Sequence, residues 1–412
     1  MSTAPKGFRF AIARAGFRKS ADHANGGEDA SSANSPREGR ADLALLVSDV
    51  PAVAAGTFTQ IRFPAAPVLV AKAMLAGRPA ARAVVINSGQ ANACTGDEGL
   101  RNCRITQELV AKAAGLDPAD VLPASTGVIG AQLKMDLWEK AVPDLVADLG
   151  KSTPEDFARA IMTTDAFHKI SYRDVPLPGG VVRLVGMAKG AGMICPNMAT
   201  MLSVVLCDAQ VEADLWRKMM REAVALTFNR VTVDGDTSTN DTLYGLANGA
   251  SGVAVSDEAS VNALFAALTS VLGDLAYMLV KDGEGASKVA RIQVRGAVSD
   301  ADAERVARTV GHSQLVKTAL YGCDANWGRI VAAVGRSGAD FEPDDVVVTL
   351  CGVELFRNGQ PTDLDFDALL EEPLKRRDLP IDIVLGSGHG SYTLLASDLG
   401  HEYVNVNADY RS

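Results

Sequence analysis

Four short segments of this 412-residue chain crowd together side chains whose types suit chemistry. Ser125-Thr126-Gly127-Val128-Ile129-Gly130 follows an apolar stretch and offers a hydroxyl beside a glycine backbone N–H. The run from Lys189 through Asn197 and Ala199 to Thr200 is rich in turn residues and leads into an apolar strand expected at 202–206. Asp234 to Thr242 packs small polar residues into one dense loop, with Asn240 and Asp241 near its end. Asp282-Gly283-Glu284-Gly285-Ala286 puts a carboxylate in a glycine-flanked turn just past a long helix. On residue chemistry alone each is a turn or a cap. Thr200 would then be the first residue of a buried strand, where β-branched residues are common.

Other chemistries fit poorly. Gly386-Ser387-Gly388-His389-Gly390 follows a strand, but it is not a G-x-G-x-x-G loop, and too little chain follows to complete a dinucleotide unit. In Lys189-Gly190-Ala191-Gly192 the lysine precedes the glycines, unlike a Walker loop. The histidines His23, His168, His312, His389 and His401 are scattered, with no H-E-x-x-H and no ligand spacing, so no metal is expected. No G-x-S-x-G elbow is present. Cys94, Cys103, Cys195, Cys207, Cys323 and Cys351 form no C-x-x-C pair and read as buried thiols of a reducing compartment. A net charge of −10 argues against nucleic-acid or anionic-membrane partners, which call for a basic face.

The elements that must position these segments show as apolar patterns. Strands are expected at 43–47, 54–58, 83–86, 202–206, 290–295, 345–350 and 381–385. Helices are expected at 97–114, after a cap at Thr95, and at 212–227. A third begins after Ser256, with Val261, Leu264, Phe265, Leu268, Leu272, Leu275 and Leu279 on one face, and ends at Asp282. Several strand pairs have connections too short for a parallel crossover, which favours a layered α/β fold with mixed or antiparallel sheets. Residues 18–40 hold almost nothing that could enter a core and read as a surface insertion. The N-terminus lacks the apolar core of a signal peptide, and no run of 18 apolar residues appears, so a cytoplasmic protein without membrane spans is expected.

Taken together the segments resemble the ornithine acetyltransferase family, also called glutamate N-acetyltransferase, of arginine biosynthesis. The resemblance runs through Leu43 to Pro51, Asn87-Ser88-Gly89, Asn92 to Gly96, Ser125 to Gly130 and Thr163-Thr164-Asp165. It continues through Lys189 to Leu202, Val233 to Thr242, Asp282 to Ala286, Asn326 to Ile330 and Asn407 to Tyr410. The ordered set carries the resemblance; no single motif would.

This resemblance implies an αββα-type sandwich with a smaller C-terminal portion, cut by its own chemistry between Ala199 and Thr200. Chains of residues 1–199 and 200–412 would then form one structural unit and assemble as an α2β2 heterotetramer. Thr200 would be nucleophile, and its freed α-amine, with an ordinary pKa of about 7.7–8.0, the base. Thr126 and Gly127 would form the oxyanion hole. Thr163, Thr164, Lys189, Thr200, Glu284, Asn407 and Ser412 would hold the substrates, Lys189 facing a carboxylate and Glu284 an amine. The implied reaction is ping-pong acetyl transfer from N2-acetylornithine to glutamate, with no cofactor; use of acetyl-CoA as a further donor is left open.

The chain departs from the family pattern in places. Asp165-Ala166-Phe167-His168-Lys169 stands where Asp-Thr followed by Pro-Lys is expected, Cys195 precedes Pro196, and Arg411 replaces a small polar residue. Three other readings compete: an N-terminal-nucleophile amidase or aminopeptidase of the same fold, a non-catalytic relative that stays uncut, and an enzyme using Cys94 or Cys195.

Overall fold

The computed structural model describes residues 4–17, 40–195 and 201–409. All of the 18–40 insertion except Arg40 lies outside these, as do Ala199, Thr200 and Ser412.

One strand, Leu43–Phe58, organises the larger sheet. Its first part pairs antiparallel with Phe8–Ala13 and its last part with Thr242–Ala247, while Ala80–Gln90 runs antiparallel along it. The two strands expected at 43–47 and 54–58 are thus one. The register against Ala80–Gln90 shifts between Val47 and Ala52, around Pro51, which has no N–H to give to a ladder. Across the sheet the order is Val121–Val128, Ala80–Gln90, Leu43–Phe58, Thr242–Ala247, Leu202–Cys207, Gly180–Lys189 and Lys169–Leu177.

Successive residues on these strands enter different cores, and this alternation defines the layers. Ala44, Leu46, Val84, Ile86, Val204, Leu206, Tyr244 and Leu246 share one core between the two halves of the folded sheet. Leu43, Leu45, Val47, Ala83 and Val85 point the other way, onto Val110 of helix Gly96–Ala114 and Trp138 of helix Met135–Ala147. Val182, Leu184, Val205 and Leu243 face helices Ala213–Leu226 and Glu258–Lys281. Helix, sheet, sheet, helix: the αββα sandwich follows from the period-two pattern.

The Glu258–Lys281 helix is long and apolar enough to cross a membrane, with mean hydropathy 1.8. Here it is a core helix: Leu264, Leu268, Val271, Leu272, Leu275 and Leu279 are fully buried. Each such leucine contributes about 1.5–3 kcal/mol through burial. The helix approaches its sheet closely because Gly186 has no side chain; a Cβ there would lie 2.5 Å from Val271. Thr95 occupies the N-cap position of Gly96–Ala114 but does not cap it; its hydroxyl bonds Asn92 Oδ1 at 2.7 Å.

The C-terminal portion is a second, seven-stranded sheet. Val289–Ala297 lies between Asp378–Val384 and Gly390–Ser397, and the short strand Val231–Thr232 adds to the edge of Gly390–Ser397. Its core takes in Val306, Val310, Ile330 and Leu370 from the covering helices. Asp345, expected in a strand, belongs to a 3-10 turn at Pro343–Asp345, and the strand starts at Val347. A final helix, His401–Asp409, closes the chain. Only Cys103 and Cys207 are buried; Cys94 and Cys323 are exposed and Cys195 and Cys351 half-buried, which corrects the expectation of six buried thiols.

Candidate active site

Strand ends and three loops meet around a cavity of about 240 Å³. Thr126, Gly127, Thr163, Thr164, Lys189, Glu284 and Asn407 all line it. Ala199, Thr200 and Ser412 lie outside the described residues, but Met201 and Leu202, which follow Thr200 in the chain, line the same cavity.

Thr126 and Gly127 end the strand Val121–Val128. Ser125 Oγ bonds Asn87 Oδ1 at 2.6 Å, and Asn240 Nδ2 donates to Ser125 O at 2.8 Å and to Ala91 O at 2.6 Å. These buried bonds fix the strand end from both sides. Gly127 has φ +132°, and a Cβ there would lie 2.2 Å from the Gly89 carbonyl carbon, so only glycine fits.

Lys189 closes the strand Gly180–Lys189 and is almost fully buried. Its Nζ donates to Thr126 Oγ1 at 3.1 Å. Behind it Asp165 accepts from Gly190 N at 2.6 Å and from Lys169 Nζ at 2.7 Å, and Lys169 also reaches Asp282 at 2.5 Å. Burial would raise the Asp165 carboxyl, but the Lys169 and Lys189 ammonium groups and the Gly190 N–H outweigh it and hold it well below the usual carboxylate range. Asp282 goes the other way, pushed up by burial despite Lys169. The lysine of the departing 165–169 segment is thus a fully buried cation between two carboxylates.

Glu284 sits against the turn that follows Lys189. Its N–H donates to Ala191 O at 2.9 Å, and a Cβ on Gly192 would fall 2.4 Å from its carboxylate. Asn407 Nδ2 donates to Glu284 Oε2 at 2.8 Å. The last helix reaches the site because Gly285, at φ +69°, lets Tyr403 N approach to where a Cβ would stand.

Tyr403, Asp234 and Asp236 also line the cavity and were not singled out as site residues from the sequence. Tyr403 lies four residues before Asn407 on one helix, a spacing that places both on one face. Asp234 accepts from Met193 N at 2.6 Å and Ile194 N at 2.9 Å through different oxygens, so it holds the segment that leads to Thr200. Burial pushes its carboxyl up despite those N–H donors. Burial, with Asp234 and Glu284 nearby, pushes the Tyr403 phenol up as well, so it stays protonated and able to donate.

The cysteines stand apart. Neither Cys94 nor Cys195 lines the cavity. Cys195 Sγ lies 3.4 Å from His312 Nε2, where burial raises the thiol and, with Arg308, Lys317 and Arg336, lowers the imidazole to about 4. A neutral thiol beside a neutral imidazole is a weak nucleophile.

A sandwich of one folded sheet whose end gathers hydroxyls, one buried ammonium and several carboxylates around a small cavity defines an enzyme acting on a small polar molecule. The chain belongs to the ArgJ family, whose model matches residues 29–412. It is 68% identical over 412 residues to the arginine biosynthesis bifunctional protein ArgJ of Nitratidesulfovibrio vulgaris, covering 100% of both chains. It is 45% identical over 409 residues to the protein of that name from Geobacter sulfurreducens, covering 99% of each. Among solved structures it is similar to an ornithine acetyltransferase from Mycobacterium tuberculosis complexed with ornithine, at 34% identity and TM-score 0.38, over 48% of this chain and 95% of that one.

Proposed function

We propose that this chain acts as an ornithine acetyltransferase of arginine biosynthesis, moving acetyl from N2-acetylornithine to glutamate through an acetyl ester on Thr200. The observation that carries this reading is the convergence of Thr126, Gly127, Thr163, Thr164, Lys189, Glu284 and Asn407 on the cavity that Met201 lines. Full-length likeness to the bifunctional ArgJ proteins supports it.

The chemistry starts with maturation. The Thr200 hydroxyl attacks the Ala199 carbonyl and the peptide C–N bond breaks, which frees the Thr200 α-amine; water then hydrolyses the resulting ester, releasing the Ala199 carboxylate and restoring the Thr200 hydroxyl. Strand Leu202–Cys207 is hydrogen-bonded between Gly180–Lys189 and Thr242–Ala247, so chains 1–199 and 200–412 share one sheet after the cut. In turnover the α-amine takes the hydroxyl proton as Oγ attacks the acetyl carbon. Thr126 and Gly127 donate to the oxyanion, and the proton passes to the ornithine amine as its C–N bond breaks. The glutamate amine then attacks the ester, restoring the Thr200 hydroxyl and releasing N-acetylglutamate. Lys189 meets a substrate carboxylate and Glu284 an ammonium group.

Acetyl-CoA as a second donor, an α2β2 assembly and a cytoplasmic location complete the proposal. The reaction needs no cofactor, since one residue supplies both nucleophile and base. Ornithine release from N-acetylornithine, measured with and without glutamate, tests transfer against hydrolysis. Release that rises with glutamate and matches N-acetylglutamate formed is expected; glutamate-independent release would make the protein an amidase.

A further inference from the structure

A second cavity, of about 200 Å³, opens between the end of strand Leu43–Phe58 and helices Ala66–Gly77 and Ala213–Leu226. Lys72, Arg217 and Arg221 line it, a local cluster of cations on a chain of net charge −10. Arg217 is shared with Asp214, whereas Lys72 and Arg221 make no ion pair among the described residues. Leu75 and Met220 supply an apolar wall. Arg217 and Arg221, one helical turn apart, present forks that match the oxygens of a phosphate or carboxylate group.

The cavity is wired to the catalytic one. Lys72 Nζ donates to Thr59 O at 3.1 Å. Thr59 in turn donates through its hydroxyl to Ser238 O and through its N–H to Asp241 O, both at 2.9 Å. Residues 238–241 line the catalytic cavity. An ammonium has three donors, so Lys72 can bond an anion while keeping Thr59, and an anion there would hold it in place.

We propose that this cavity is an effector site for a small oxyanion, and that its occupancy steadies the Ser238–Asp241 wall of the catalytic cavity. The kinetic part rests on the acetyltransferase reading; the binding part does not.

The test is calorimetric titration of the mature protein with inorganic phosphate and, in parallel, succinate, at ionic strength held constant with chloride. Arg221→Gln and Arg217→Gln are titrated beside it. Expected is binding that weakens about tenfold in each variant, the loss of one hydrogen bond to a charged group. Neither arginine is among the buried residues of helix Ala213–Leu226, so both variants should fold as the wild type does. The tighter of the two anions tells a phosphate-bearing effector from a carboxylate-bearing one. The same anion should lower the KM for N-acetylornithine by about fivefold in the wild type and not in Arg221→Gln. No binding of either anion at millimolar concentration, or binding unchanged in both variants, overturns the site. Binding that leaves the KM unchanged overturns the coupling. Absence of acetyl transfer in chloride buffer without phosphate or succinate counts against the acetyltransferase reading instead, and the calorimetry still decides the site.

Discussion

Lys189 Nζ donates to Thr126 Oγ1 at 3.1 Å, so the cation expected to meet substrate carboxylate also touches the expected oxyanion donor. With its oxygen accepting from the ammonium, the Thr126 hydroxyl keeps its own hydrogen for the reacting oxygen. Thr126→Val should lower kcat by about 10²–10³-fold. Lys189→Met should lower kcat/KM by a similar factor, and the double variant should lose less than the product of the two, because the residues act as a pair. Steady-state kinetics on the double-mutant cycle measures this; full multiplicativity would separate the two roles.

Gly192 makes room for Glu284. A Cβ at 192 falls 2.4 Å from the carboxylate, so Gly192→Ala should displace Glu284 and break its bond with Asn407. KM for N-acetylornithine should rise about tenfold, as for loss of a charged hydrogen bond, with kcat less affected. Glu284→Gln should reproduce the KM effect. An unchanged KM in both would remove Glu284 from amine recognition.

The Asp165–Lys169–Asp282 cluster is fully buried, and cutting out its cation strands two carboxylates. Lys169→Met should cost about 3–5 kcal/mol in denaturant unfolding. Asp165, held below its ordinary value of 3.8, stabilises the fold above that pH and loses this contribution as acid protonates it. Asp282, pushed up, has the opposite sign and weakens the fold as pH rises past 3.8. The stability gap between wild type and Asp165→Asn should therefore narrow as pH falls below 3.8. A gap that widens in acid would contradict the assignment.

Much of this was legible from residues. The alternation Leu43/Ala44/Leu45/Leu46 marks a strand with a core on each side, and the apolar spacing of the 258–281 helix marks its buried face. The loops at 125–130, 189–195, 234–242 and 282–286 stood out because small polar and glycine residues crowd there without periodicity. Their convergence was not legible, since hydrogen bonds such as Asn240 to Ser125 join residues far apart in the chain. Tyr403 was missed because it lies on a short exposed helix of ordinary composition and gains its role from the Gly285 approach. Thr95 misled because its hydroxyl found Asn92 instead of the helix end.

Asp234 grips the segment that leads to Thr200 with both oxygens, one on Met193 N–H and one on Ile194 N–H. Asparagine keeps one acceptor and turns an NH2 toward the other N–H, so Asp234→Asn is not conservative here. Both it and Asp234→Ala should slow self-cleavage, leaving uncut chain visible on a denaturing gel after purification. Wild-type cleavage in both variants would show that this grip does not guide the segment.

The central claim is that Thr200 is freed by self-cleavage and then carries the acetyl group. Intact-mass spectrometry of the purified protein, before and after adding N-acetylornithine, tests it most directly. The account predicts two chains, residues 1–199 and 200–412, with one acetyl group gained by the second. A single uncut chain of 43.1 kDa, with acetyl transfer still running, would contradict it.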